Sequence, residues 1–366
     1  MRTAIQIGGP GSGNPAVWRE AVAFACEAEK LGVDSAWSAE AWGQDAVAPL
    51  AFLAARTSRL KLGTGILQIS ARVPSMTAMT ALTLAGITEN RFALGLGASG
   101  PQVVEGLHGV AFAHPLARLR ETVEIVRMAF RGEKLVYSGR HFVLPRPGGE
   151  GKALRLAHPP NPGIPIYLAT LGPKGLELTG ELADGWLGTS FMPEHADVFF
   201  SHIGRGAALC GRTLAELDLQ VGGAVEFGSD VERMVRSRKP QLAFTLGAMG
   251  SRRHNFYNAA YRRAGFEDAA AEVQRLWLEG KRDEAAARVP DELVLKTHLL
   301  GTEEMVRERI RLYRDAGITT LRLAPAGTTL EKRLDVLGRA IELVREECGV
   351  QHDSPQTRGP SFLRPE

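Results

Sequence analysis

Proton-moving side chains and glycine-rich stretches alternate along the first half of this 366-residue chain. FALGLGASG (92–100) sets Gly95, Gly97 and Gly100 in the spacing G-x-G-x-x-G, where missing side chains let backbone N–H groups approach a ligand. Glu40 closes VDSAWSAE (33–40), and Ala41 and Trp42 follow it. In VVEGLHG, Glu105 and His108 stand three apart, on one face if the segment is helical. Any of the three ionisable groups could pass a proton near neutral pH, because imidazole titrates there and a buried carboxyl can be tuned to it. Arg72 in ARVP could fix an anionic substrate or anchor its own loop. ATLGPKG (169–175) places Pro173 where a helix would open, and the free amides of such an end attract phosphate.

A metal centre is not expected. E-x-x-H occurs without the second histidine of a zinc helix, and Cys26, Cys210 and Cys348 are far apart with no C-x-x-C. A net charge of +3 is too small for a nucleic-acid surface, and no apolar run is long enough to span a membrane. MRTAIQIGGP runs directly into an alternating strand rather than a signal-peptide core. The expected setting is a reducing cytoplasm.

These residues need a frame. Eight strand patterns occur, at 3–9, 33–40, 60–68, 91–97, 164–170, 183–190, 218–227 and 315–325, mostly followed by helical periodicity. Residues 16–31 carry Val17, Ala21, Phe24, Ala25, Ala28 and Leu31 on one face, with Gly32 as the stop. Thr302 caps a second helix that has Glu303 and Glu304 in its first turn. Repeated βα units predict a closed (β/α)8 barrel over residues 1–350, typically ~250 residues before insertions. The extra length falls after strands four and seven, in a strand–turn–strand at about 131–163 and a helical stretch at about 229–296. Residues 351–366 read as a polar tail.

Within this frame the glycines do not make a Rossmann turn. That fingerprint belongs to the first βα unit with an acid about 20 residues on, whereas three units precede Gly95 and the candidate acid, Glu121, sits in a helical stretch. A ligand loop at the end of the fourth barrel strand fits better.

RFALGLGASGPQVVEGLHG with HPLARLRETVEIVR, LGTGILQISARVP, PIYLATLGPKGLELTGELADGWL and the later NFY resembles the luciferase-like superfamily, and within it the oxidoreductases that use coenzyme F420, a 5-deazaflavin. The resemblance runs from residue 3 to about 346. It implies a (β/α)8 barrel, commonly a homodimer, and hydride transfer between the deazaflavin and a small organic substrate. By the same resemblance, Gly65–Ile66 occupies the place of a non-prolyl cis peptide against the ring. Thr170, Leu171, Gly172, Pro173 and Lys174 would cradle a cofactor phosphate, and Gly97, Ala98 and Ser99 would line the cofactor. Glu40 would lie near it, although relatives often follow this acid with a histidine, and here Ala41 stands instead. Trp42 could stack on substrate or simply pack. Arg252, Arg253 and His254 would form a lid against the cofactor's acidic tail, or a solvated or dimer-facing surface. Two alternatives remain: an FMN-dependent monooxygenase of the same superfamily, and a non-catalytic cofactor-binding protein.

Overall fold

The computed structural model describes residues 1–8, 14–251 and 255–349. The tail at 351–366 and the lid cations Arg252, Arg253 and His254 lie outside the described residues.

Twelve strands form in chain order: β1 (Arg2–Ile7), β2 (Ser35–Ser38), β3 (Lys61–Thr64), β4 (Leu67–Gln68), β5 (Phe92–Gly97), β6 (Tyr137–Ser138), β7 (Val143–Leu144), β8 (Ile166–Leu168), β9 (Gly185–Leu187), β10 (Asp218–Phe227), β11 (Leu299–Gly301) and β12 (Thr320–Pro325). Parallel pairing runs β1-β2-β3-β5-β8-β9-β10-β12 and returns from β12 to β1, closing an eight-stranded barrel. All eight sequence patterns became barrel strands.

Two details differ from the pattern. The run at 60–68 is not one strand: it breaks between β3 and β4, where the Gly65–Ile66 peptide is cis and the Gly65 N–H turns to the Ser38 carbonyl at 2.7 Å. A further parallel segment, β11, pairs with β10 outside the ring; its short LLG run offers little periodicity to read in the sequence.

The helices cover the barrel. They are α1 (Pro15–Leu31), α2 (Val47–Ala54), α3 (Pro74–Ile87), the single turn α4 (Pro101–Val104), α5 (Pro115–Phe130), α6 (Pro173–Leu182), α7 (Asp197–Leu209), α8 (Val231–Gly247), α9 (Phe256–Arg263), α10 (Glu267–Leu278), α11 (Arg282–Ala287), α12 (Asp291–Thr297), α13 (Glu303–Asp315) and α14 (Leu330–Glu347). Gly32 ends α1 in the left-handed region, and the Thr302 side chain accepts the Met305 N–H to cap α13. On α1, Phe24, Ala25 and Ala28 are buried as the spacing required, but Val17, in the first turn, is exposed.

Three apolar clusters result. The largest lies between barrel and helices, a second fills the α8–α12 insertion, and a small one with Ala4, Trp37, Ala93, Tyr167 and Leu187 occupies the barrel interior. Below it Asp218 accepts bonds from the hydroxyls of Tyr167 (2.8 Å) and Thr320 (2.7 Å) and pairs with Arg2 (2.8 Å). Burial, reinforced by the adjacent Asp218, pushes the Tyr167 phenol well up and keeps it a donor.

The insertion after the fourth barrel strand is the antiparallel hairpin β6–β7. Its turn is held by Glu121 of α5, whose buried carboxylate accepts the backbone N–H groups of Arg140, His141 and Phe142 at 2.8–3.2 Å. The acid a dinucleotide fingerprint would need is therefore committed to the hairpin. Glu121→Ala should lower unfolding free energy by about 2 kcal/mol, since three charge-assisted bonds are lost and partly replaced by water. A urea midpoint unchanged from the parent would remove this role.

Candidate active site

The carboxyl ends of the strands surround a cavity of about 1200 Å³. That is enough for a cofactor and a small substrate together, drug-sized sites being ~300–1000 Å³. One wall carries Gly97, where a Cβ would stand 2.7 Å from the Ile66 side chain, and deeper along the same strand, off the wall, a Cβ on Gly95 would stand 1.9 Å from the Thr64 carbonyl oxygen. The Thr64 hydroxyl locks this close approach by accepting the Gly95 N–H (2.8 Å) and donating to the Gly95 carbonyl (2.9 Å). Above it Gly97, Ala98 and Ser99 face the cavity, with Ser99 in the left-handed region at φ 59°. Gly65 and Ile66 press in from β3 and β4.

Opposite, the chain leaves β8 through Ala169–Gly172 and enters α6 at Pro173. Gly172 is the N-cap and gives no side-chain cap, so the amides of Lys174 and Gly175 stay available at the positive end of the helix. Thr170, Leu171, Gly172, Pro173 and Lys174 all line the cavity. The start of α5 faces the same space through Pro115 and Leu116, again with no side-chain cap.

Glu40 lines the cavity and is buried. Its Oε1 accepts the Arg72 guanidinium at 2.6 Å and the Gln68 backbone N–H at 3.1 Å. Oε2 has only a long bond from the Ala46 N–H at 3.5 Å, which leaves it the less engaged oxygen. Arg72 is thus placed behind Glu40 rather than on the cavity wall. The His108 Nε2 lies 2.9 Å from the Gln68 side-chain amide, one residue behind the same acid. Glu105 and His108 do not share a helical face: α4 ends at Val104, and Glu105 turns away to accept the Phe112 N–H at 3.0 Å. Trp42 stands at the mouth, 61% exposed.

Sequence reasoning placed a lid in the insertion but named none of the residues that form the far wall. Phe244, Ala248 and Met249 at the end of α8 and Phe256 and Tyr257 on α9 close the cavity from the insertion. The aromatics in NFYNAAY were the available signal, but only the fold tells which of them turn inward. Among the described residues no cluster of histidine, cysteine and acidic groups could hold a metal, and no helix is long and apolar enough to cross a membrane.

A model of the luciferase-like monooxygenase family matches residues 2–320. The chain belongs to the luciferase-like superfamily. It is 39% identical to the "Putative coenzyme F420-dependent oxidoreductase" of Mycobacterium tuberculosis over 91% of this chain and 97% of that one. A 5,10-methylenetetrahydromethanopterin reductase of Methanolobus tindarius is 28% identical over 87% of this chain and 94% of its own. These relatives place the chain in the F420-dependent oxidoreductase branch, as its motifs led us to expect. Among solved structures, the coenzyme F420-dependent tetrahydromethanopterin reductase of Methanopyrus kandleri superposes with a TM-score of 0.76 at 22% identity, covering 92% and 97% of the two chains, which speaks for the barrel fold.

Proposed function

We propose that this protein is an oxidoreductase that binds coenzyme F420 in the cavity and transfers a hydride between it and a small organic substrate. The observation that carries the reading is the pairing of a close-packed glycine wall with an uncapped helix end across one apolar cavity. A flat ring fits the first and a phosphate the second. When bound, the deazaflavin supplies hydride chemistry at its C5. The chain's part is to hold reactants in contact, exclude water and handle the proton.

For the proton we assign Glu40. Its Oε2 is the less engaged carboxylate oxygen on the wall, and Arg72 and the Gln68 amide fix the other. Glu105 and His108 are not on the cavity wall, and His108 reaches toward Glu40 through the Gln68 side-chain amide. We read residues 1–350 as one domain, because the insertion's core shares Met192 and Leu300 with the barrel end. A homodimer is supported by an exposed apolar stripe, Val73, Met76, Met79 and Ile87 along α3 with Phe52 of α2. A cytoplasmic setting agrees with three unpaired cysteines.

Equilibrium fluorescence titration of the apo protein with coenzyme F420, FMN and a nicotinamide dinucleotide tests the reading. Saturable binding of the deazaflavin alone, followed by substrate-dependent bleaching of its visible absorption, is expected. Preference for FMN would transfer the argument to oxygen chemistry, and binding without turnover on any substrate would leave a carrier.

A further inference from the structure

Arg322 lies midway along β12 and has no carboxylate partner among the described residues. Its register puts it level with Ala4 of β1 and Gly222 of β10. Ala4 belongs to the interior cluster, so Arg322 points into the barrel as well. The acids of β10 are already committed: Asp218 to Arg2 at 2.8 Å, and Glu226 to Arg233 at 2.7 Å and Arg238 at 3.0 Å. One guanidinium nitrogen of Arg322 donates to the Gly188 carbonyl, while its Nε is buried with no partner. Desolvation brings its pKa down to about 10. An arginine held this way is costly unless something negative completes it.

The surroundings leave room for that group. At its own level the neighbours are Ala4 and Gly222, and one step nearer the mouth stand Ala224 and Ala324. Gln6, two residues beyond Ala4, lines the large cavity. So does Tyr257, whose phenol feels the Arg322 charge. Arg322 is packed deeply among protein atoms, keeps some accessible surface, and lies behind the cavity wall within charge reach of Tyr257, which is on it.

We infer that Arg322, one layer beneath the cavity wall formed by Gln6 and Tyr257, anchors an oxyanion of the substrate, a carboxylate or a phosphate monoester, that reaches down past the Tyr257 hydroxyl. This rests on the cofactor reading above, because the deazaflavin would occupy the glycine wall and α6 and leave the β10–β12 side to substrate. Arginine is well matched to such an anion, since its planar fork meets two oxygens at once and stays charged despite burial. Neutral analogues of the same shape would leave the guanidinium unpaired and be rejected.

The test uses protein first loaded with coenzyme F420, titrated calorimetrically with phenyl phosphate, benzoate and benzyl alcohol. At least one anion should bind saturably and at least about ten-fold more tightly than the alcohol. Preference for phenyl phosphate assigns a phosphate, and preference for benzoate a carboxylate. Arg322→Gln should weaken the anion at least about ten-fold while leaving benzyl alcohol and coenzyme F420 affinities unchanged, and Arg322→Lys should recover part of the loss. Equal anion binding by parent and Arg322→Gln overturns the assignment. So does a parent protein that binds neither anion, or binds anion and alcohol alike, whether or not the variant folds. Failure to load coenzyme F420, read before any anion is added, counts against the cofactor reading instead.

Discussion

Gly172→Glu should weaken coenzyme F420 binding by about a hundred-fold, since like charges brought together at a binding surface cost several kcal/mol. The backbone at Gly172 has φ −79° and ψ 152°, which any residue adopts, and a Cβ there meets nothing within 4 Å. The side chain therefore enters without disturbing the fold. A carboxylate at the N-cap even favours the helix, so the melting temperature should hold or rise. What suffers is the ligand, because the new charge takes the place offered to a phosphate between the amides of Lys174 and Gly175. Gly172→Ala separates charge from bulk and should cost far less. Equal deazaflavin affinity in Gly172→Glu and parent would move the phosphate elsewhere in the cavity.

Acid stability should change almost as strongly when His298 is replaced. Burial, with the nearby Arg238 guanidinium adding to it, pushes this imidazole from 6.5 down to about 4. Its Nδ1 accepts the Ala224 N–H at 3.3 Å, which only an unprotonated nitrogen can do. The unfolded chain thus binds a proton before the folded chain does. Stability from this group is full above about pH 6.5 and is lost as pH falls toward about 4, by up to about 3 kcal/mol. Urea midpoints for parent and His298→Gln should converge as pH is lowered through that window, with the variant's acid slope the flatter. Parallel slopes would mean that His298 titrates alike in both states.

Much of this fold can be read along the chain. Strand and helix periodicities, the stop at Gly32, the cap at Thr302, the helix opening at Pro173 and the two insertions are local, because each depends on backbone geometry within a few residues. The phosphate-facing end of α6 was legible for the same reason. The strand break at Gly65–Ile66 was visible only through family likeness, since glycine and isoleucine in a strand pattern carry no signal of their own.

Charges behaved differently. Glu121 could be placed on a helix, but nothing near it in sequence announces that it holds a hairpin turn about 20 residues away. Glu40 was expected near the cofactor; its union with Arg72 across β2 and the β4 loop required both strands to be in register. Glu105 and His108, paired by spacing, separated once α4 ended early. Arg322 sits in the apolar run TLRLAP, where an arginine reads as a strand residue facing water. Its importance comes from what is missing opposite it.

The order of amino acids alone dictates the barrel, the succession of its parts and the backbone of the binding loops, because hydrophobic period, glycine and proline act over short range. Which charges are satisfied and which are left for a ligand emerges only when the barrel closes. Closing eight strands brings together groups hundreds of residues apart in an interior where an unpaired charge cannot be screened by water.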